Sequence, residues 1–210
     1  MDGWSIATTG IVFFPLIIGL IRFWKLDPVI RPVVYYLVAS AGFAIASMVA
    51  IYILGQQNQW LSWPYAVIEL AFILYIYRGV LGNTVPRWIF LVLGGGFFIL
   101  TTVLVIRNGI HEPAVIPRSV ESCIVIGLCI LYYYHLSQEL NILHLERSAM
   151  FWITTGFLLF FCVELFFFLL QDQILTLEEQ DARSIYQYFY MAPIIVTNLI
   201  IAIGLCQNNS

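Results

Sequence analysis

WIFLVLGGGFFILTTVLVI, residues 88 to 106, runs without a single charged side chain and is closed by Arg87 on one side and Arg107 on the other. Its length falls within the roughly 17 to 25 apolar residues that a helix needs to cross the hydrocarbon core of a bilayer. No water is present there to bond exposed amides, so the segment must satisfy its backbone internally, and an α-helix does so. The alternating pattern of a membrane barrel strand is missing from it.

Comparable stretches recur along the whole chain. They lie at about 5–24, 33–54, 63–81, 119–137, 149–171 and 185–206, which with 88–106 predicts an all-α membrane protein of seven transmembrane helices forming one domain over residues 1–210. The composition agrees: 61% of residues are hydrophobic and 10% charged, and the mean hydropathy of +0.92 lies far outside soluble usage. The first stretch does not read as a signal peptide. Asp2 precedes it, while Arg22 and Lys25 follow it, the reverse of the signal-peptide charge order.

Orientation follows from the basic residues of the loops. With the N-terminus outside, Arg22, Lys25, Arg31, Arg78, Arg87 and Arg147 fall inside, against Arg107, Arg118 and Arg183 outside. The count favours N-out and C-in, in a bacterial inner membrane. The outer side also gathers Asp2, Glu112, Asp172, Glu178, Glu179 and Asp181 and is expected to be electronegative. QNNS follows the seventh stretch directly, so an output is expected to pass through a partner in the membrane.

Three acids fall within or at the edge of these stretches. Glu69 is expected about 9 Å deep from the outer side and Glu164 about 10 Å deep from the same side, at 1.5 Å per residue. Glu121 stands near the outer end of its helix, beside Arg118, where a surface role is expected. Intramembrane carboxylates are costly unless they face an interior partner. Tyr65 is one turn from Glu69, and Tyr186, Gln187, Tyr188 and Tyr190 bring polar tips to the same level. Phenolic hydroxyls donate to carboxylates and aromatic faces attract cations, so Glu69, Glu164, Glu121, Tyr65, Tyr186, Gln187 and Tyr190 are the candidate cage for a cationic or amphipathic ligand. Asn198 is a further candidate, with interhelical bonding its plainer role. For Glu69 and Glu164 the competing expectation is a protonated acid making one interhelical hydrogen bond.

Other chemistry finds little footing. Cys123, Cys129, Cys162 and Cys206 form no CxxC pair, and His135, Glu139 and His144 lack a third ligand at matching spacing, so no metal or cofactor site is assigned. The segment 135–148 reads as an amphipathic linker along the inner interface. Lys25, the single lysine, lies in a loop, which excludes a retinal Schiff base in the last helix. A sugar-transporter plan would need an internal repeat, and none is evident. An intramembrane hydrolase would need a histidine or paired acids beside a nucleophile. No catalytic residues are assigned, an enzyme is not expected, and nothing points to nucleic acid. Small residues, Ala39, Ser40, Gly42, Ala46 and Ser47 in the second helix and Gly94, Gly95 and Gly96 in the fourth, are expected to permit close helix packing.

PLIIGLIRFWKLD (15–27), YAVIELAFILYIY (65–77), ESCIVIGLCILYYY (121–134) and FWITTGFLLFF (151–161) resemble segments of an uncharacterised family of small seven-helix bacterial membrane proteins of Bacteroidetes type. Members can neighbour sensor kinases. Glu69 and Glu121 match acids of that pattern, whereas Glu164 has no counterpart in it. The resemblance implies a sensory setting, with membrane lipid and a sensor kinase or other membrane protein as partners. The expected function is a non-enzymatic sensor or receptor-like subunit that binds a small ligand from outside. The alternative is a proton- or cation-coupled small-solute transporter.

Overall fold

The computed structural model describes residues 3–53, 55, 58–82, 84–138, 148–174 and 191–207, with the side chains of all of these except 3–9, 172 and 174. Among the described residues all regular structure is helical. The helices are α1 (Gly3–Arg22), α2 (Arg31–Tyr52), α3 (Gln59–Leu81), α4 (Arg87–Asn108), α5 (Val115–Gln138), α6 (Ala149–Leu169) and α7 (Ala192–Cys206), with a 3-10 turn at Phe23–Lys25 and a single helical turn at Gln171–Ile174. Of these, α2 to α6 are each long and apolar enough to span a membrane, and α7 is a shorter apolar helix.

The surface fits that environment. Ile17, Ile21, Leu91, Val92, Ile99, Val103, Ile106 and Phe166 are all exposed, far more apolar area than a soluble monomer leaves bare. The chain is a helical membrane protein.

The helix ends differ from expectation at one informative place. The apolar stretch is expected to start at about residue 119, yet α5 begins at Val115. Pro117 sits in its first turn, where the missing N–H would have had no intrahelical acceptor. That extra turn removes Arg118 from a loop and builds it into the helix. Residues 185–190 of the expected seventh helix lie outside the described residues, as does most of the 135–148 linker, and Pro193 stands in the first turn of α7.

Neighbouring helices close a ring: α1 packs on α2, α2 on α3, α3 on α5, α5 on α6, α6 on α7 and α7 on α1. The Arg22 guanidinium donates to the Cys206 carbonyl, joining the ends of α1 and α7. α4 lies outside the ring against α3 and α5, and it buries only Phe90, Phe97 and Thr101. The ring interior holds Leu70, Ile73, Tyr77, Val125, Ile153, Phe157 and Phe161, all essentially without exposure.

Small residues do not all serve the packing expected of them. A Cβ added at Gly95, Gly96 or Gly42 would meet nothing within 4 Å, and one at Gly94 only the flexible end of Leu74. Backbones approach closely elsewhere. A Cβ at Gly204 of α7 would lie 2.9 Å from the Ala149 carbonyl oxygen, and one at Gly156 of α6 would lie 3.1 Å from Ile201 Cγ1.

Candidate functional site

Helical spacing assembles the site from three short patterns. Tyr65 and Glu69 are one turn apart on α3, Arg118, Glu121 and Ser122 share a face of α5, and Tyr36 and Ser40 share a face of α2. Glu164 continues the buried stripe of Phe157 and Phe161 on α6. Because α2, α3, α5 and α6 border the ring interior, these faces converge.

Arg118 is the hub. Its Nη1 donates to Glu69 Oε2 at 2.6 Å and to Glu121 Oε2 at 3.0 Å, and lies 3.7 Å from Glu164 Oε1. Its guanidinium carbon sits 4.7 Å from the centre of the Tyr65 ring, within cation–π range. Tyr36 and Tyr65 both donate to Glu69 Oε1, at 2.9 and 3.0 Å. The Ser122 hydroxyl lies 3.3 Å from Glu164 Oε2 and 2.9 Å from the Arg118 carbonyl. Ser40 and Tyr65 oxygens are 3.3 Å apart.

Burial sharpens the electrostatics. Glu69, Glu121 and Glu164 are 1%, 0% and 2% exposed and Arg118 is 7% exposed. One guanidinium faces three carboxylates, a formal excess of two negative charges if all are ionised. Isolated charge at such a position costs several kcal/mol per ion, so the excess must be met by protons or by a further cation. Among the described residues, Glu121 Oε1 is buried with no hydrogen-bond partner.

Beside the cluster a cavity of about 530 Å³ opens between α2, α3, α5 and the end of α6. Tyr65 and Arg118 line it together with Ser40, Ser62, Phe43 and Phe167. Ser40 and Ser47, expected to pack against a helix, line this cavity instead, with Ala44 beside them. A second cavity of about 600 Å³ lies on the α4 side and is lined by Trp63, Leu104, Glu112 and Ile116; the two share Pro113 and Gln171.

The sequence candidates are distributed as follows. Glu69, Glu164, Glu121 and Tyr65 meet at Arg118. For Glu121 the surface role expected from its position is corrected: it has no exposure and belongs to the cluster. Asn198 Nδ2 donates to the Ile194 carbonyl of its own helix at 2.8 Å, and Thr197 is the residue that reaches from α7 to Gly156 of α6, at 3.4 Å. Tyr186, Gln187 and Tyr190 lie outside the described residues. Among the described residues no group of three His, Cys, Asp or Glu side chains is placed to hold a metal.

Arg118, Tyr36, Ser40 and Ser122 are the members that sequence reasoning missed. Arg118 reads as a loop charge because the apolar stretch expected to span begins at residue 119. Its spacing of three from Glu121 was the available signal. Tyr36 and Ser122 carry none, since a tyrosine or serine in an apolar helix is ordinary until its neighbour is known.

No family model, curated protein or solved structure matches the chain.

Proposed function

We propose that this protein is a non-enzymatic, receptor-like sensor subunit of a bacterial inner membrane, binding a small cationic or amphipathic ligand in the cavity beside Arg118. One observation carries the reading: an open cavity ends at a buried cluster holding three carboxylates and one guanidinium. Such a cluster favours positive charge. Four helices contribute to it, so occupancy can alter how α2, α3, α5 and α6 pack and be felt by a partner in the membrane. The resemblance to a family that can neighbour sensor kinases supports a signalling setting.

In this reading the chain spans the membrane seven times, with its N-terminus outside. Arg118 is buried among the acids and is no loop charge, which leaves Arg107 and Arg183 outside against Arg22, Lys25, Arg31, Arg78, Arg87 and Arg147 inside. The charge bias is thereby strengthened, and the cavity opens outward. Glu178→Cys, in protein lacking its own cysteines, should react with an impermeant maleimide added to the outer face, and Ser210→Cys only after lysis. The opposite pattern removes the orientation.

A second polar layer favours the transporter alternative. Tyr77 Oη lies 3.2 Å from both Cys129 Sγ and Thr154 Oγ1, on the same three helices as the carboxylates. Buried Leu70, Ile73, Val125, Phe157 and Phe161 lie between the layers. A solute path would need polar groups on both sides of such an apolar gate. Sealed vesicles containing the purified protein separate the readings. Saturable binding of an organic cation without uptake supports the receptor; uptake driven by a proton or cation gradient supports the transporter; neither, with folded protein, removes both.

A further inference from the structure

We propose that the Glu69–Glu121–Glu164 cluster is a cation site reachable from solution, in which the Arg118 guanidinium is a tethered occupant replaceable by a free guanidinium or primary ammonium compound bearing a small apolar tail. The inference rests on the ligand-pocket reading above and names its ligand class.

The present occupant defines the chemistry. A guanidinium is held by carboxylates at 2.6, 3.0 and 3.7 Å from one nitrogen, with an aromatic face 4.7 Å from its central carbon. Planar nitrogen cations fit such a site because N–H groups can bond carboxylate oxygens while the cation meets a ring. The occupant also leaves the site incomplete. Glu121 Oε1 has no donor among the described residues although its residue has no exposure. A buried acceptor of that kind is costly and calls for a further N–H.

Access comes from the cavity. Arg118 and Tyr65 are part of both its lining and the cluster, whereas Glu69, Glu121 and Glu164 do not line it, so a cation entering by the cavity reaches the acids by displacing Arg118. The volume of about 530 Å³ falls in the range of small-molecule sites. Phe43, Phe167 and Phe168 give one wall that suits an apolar tail, while Ser40 and Ser62 add hydroxyls. The excess of carboxylate behind Arg118 disfavours an anion. A tethered group competes at an effective concentration in the millimolar range, so tail contacts must supply the advantage of the free ligand.

The test uses full-length protein in lipid nanodiscs, with benzylguanidinium and methylguanidinium as probes and benzyl alcohol as the neutral control. Arg118→Ala vacates the site and should lower the Tm. Both cations should restore it, benzylguanidinium at a concentration at least about 10-fold lower, and benzyl alcohol should not. Ala44→Trp, added to fill the cavity wall, should abolish the benzyl advantage. A second measurement does not depend on how Arg118→Ala folds. Ser62→Cys at the cavity lining, with Cys123 and Cys206 changed to Ser, should be alkylated more slowly when benzylguanidinium is present than with benzyl alcohol.

A folded Arg118→Ala protein that no cation stabilises overturns the proposal. Where that variant does not fold, unchanged alkylation of Ser62→Cys overturns it. Stabilisation of Arg118→Ala by the cations, with no cation binding or uptake by wild-type protein in sealed vesicles, shows that Arg118 is not replaceable and overturns the proposal together with the receptor and transporter readings. Wild-type binding without rescue or protection locates the ligand elsewhere and removes this inference alone.

Discussion

Arg118→Met should destabilise the folded protein by on the order of 3 kcal/mol, measured by thermal or denaturant unfolding in detergent. Methionine keeps much of the stem's length and volume, so the loss is chiefly electrostatic. It strands three carboxylates that are at most 2% exposed, with no guanidinium among them. Hydrogen bonding alone would not produce that size of effect, because interhelical hydrogen bonds in membranes average only about 0.6 kcal/mol. Adding Glu69→Gln should recover more than half of the loss. Glutamine still accepts from Tyr36 and Tyr65, which bond Oε1, but no longer carries the charge that Arg118 balanced through Oε2. Groups in one network are expected to show coupling of about 0.5 to 3 kcal/mol. A deficit below about 0.5 kcal/mol, or a double variant no better than Arg118→Met, would mean that the carboxylates do not depend on the guanidinium.

Gly204→Val should cost about 2 to 3 kcal/mol by overpacking, and Gly204→Ala about 1 kcal/mol. The first atom added at Gly204 lies 2.9 Å from the Ala149 carbonyl oxygen and 3.1 Å from both Ile153 Cγ1 and Trp152 Cβ. A backbone oxygen at a helix start cannot rotate away as a side chain can, so α6 and α7 must separate. Valine brings two further methyl groups to that contact. Gly96→Ala is the matched control, since nothing lies within 4 Å of its added carbon. It should be neutral or stabilising, alanine being the better helix former by up to about 1 kcal/mol. Equal losses at the two positions would show that the α6–α7 approach does not limit the fold.

Glycine shows why part of the packing escaped the sequence. Gly94, Gly95 and Gly96 are the conspicuous cluster, yet they lie on the peripheral α4, where Gly95 and Gly96 meet no neighbour. Gly156 and Gly204 stand alone in their helices and carry the close contacts. A small residue permits approach wherever it occurs, and only the partner helix decides whether the approach is made.

The residue ladder of the candidate site divides in the same way. Glu69, Glu121 and Glu164 could be named from the sequence because charge inside an apolar run is conspicuous whatever surrounds it, and Tyr65 because it stands one turn from Glu69. Arg118 could not, since it precedes the apolar stretch that begins at residue 119, where the same residues are readable as a loop or as the first turn of α5. Tyr36 and Ser40 stand on α2, 33 and 25 residues along the chain from their partners Glu69 and Tyr65.

By itself the sequence determined that this protein is helical and lives in a membrane. The length and apolarity of each run decide that without reference to any neighbour, because lipid leaves the backbone no other way to satisfy its polar groups. Tertiary structure alone decided that one guanidinium would be shared by three acids from α3, α5 and α6. That outcome depends on the rotation and order of helices round the ring. Lipid-facing and interior apolar residues look alike in a membrane sequence, so periodicity cannot say which face of each helix turns inward.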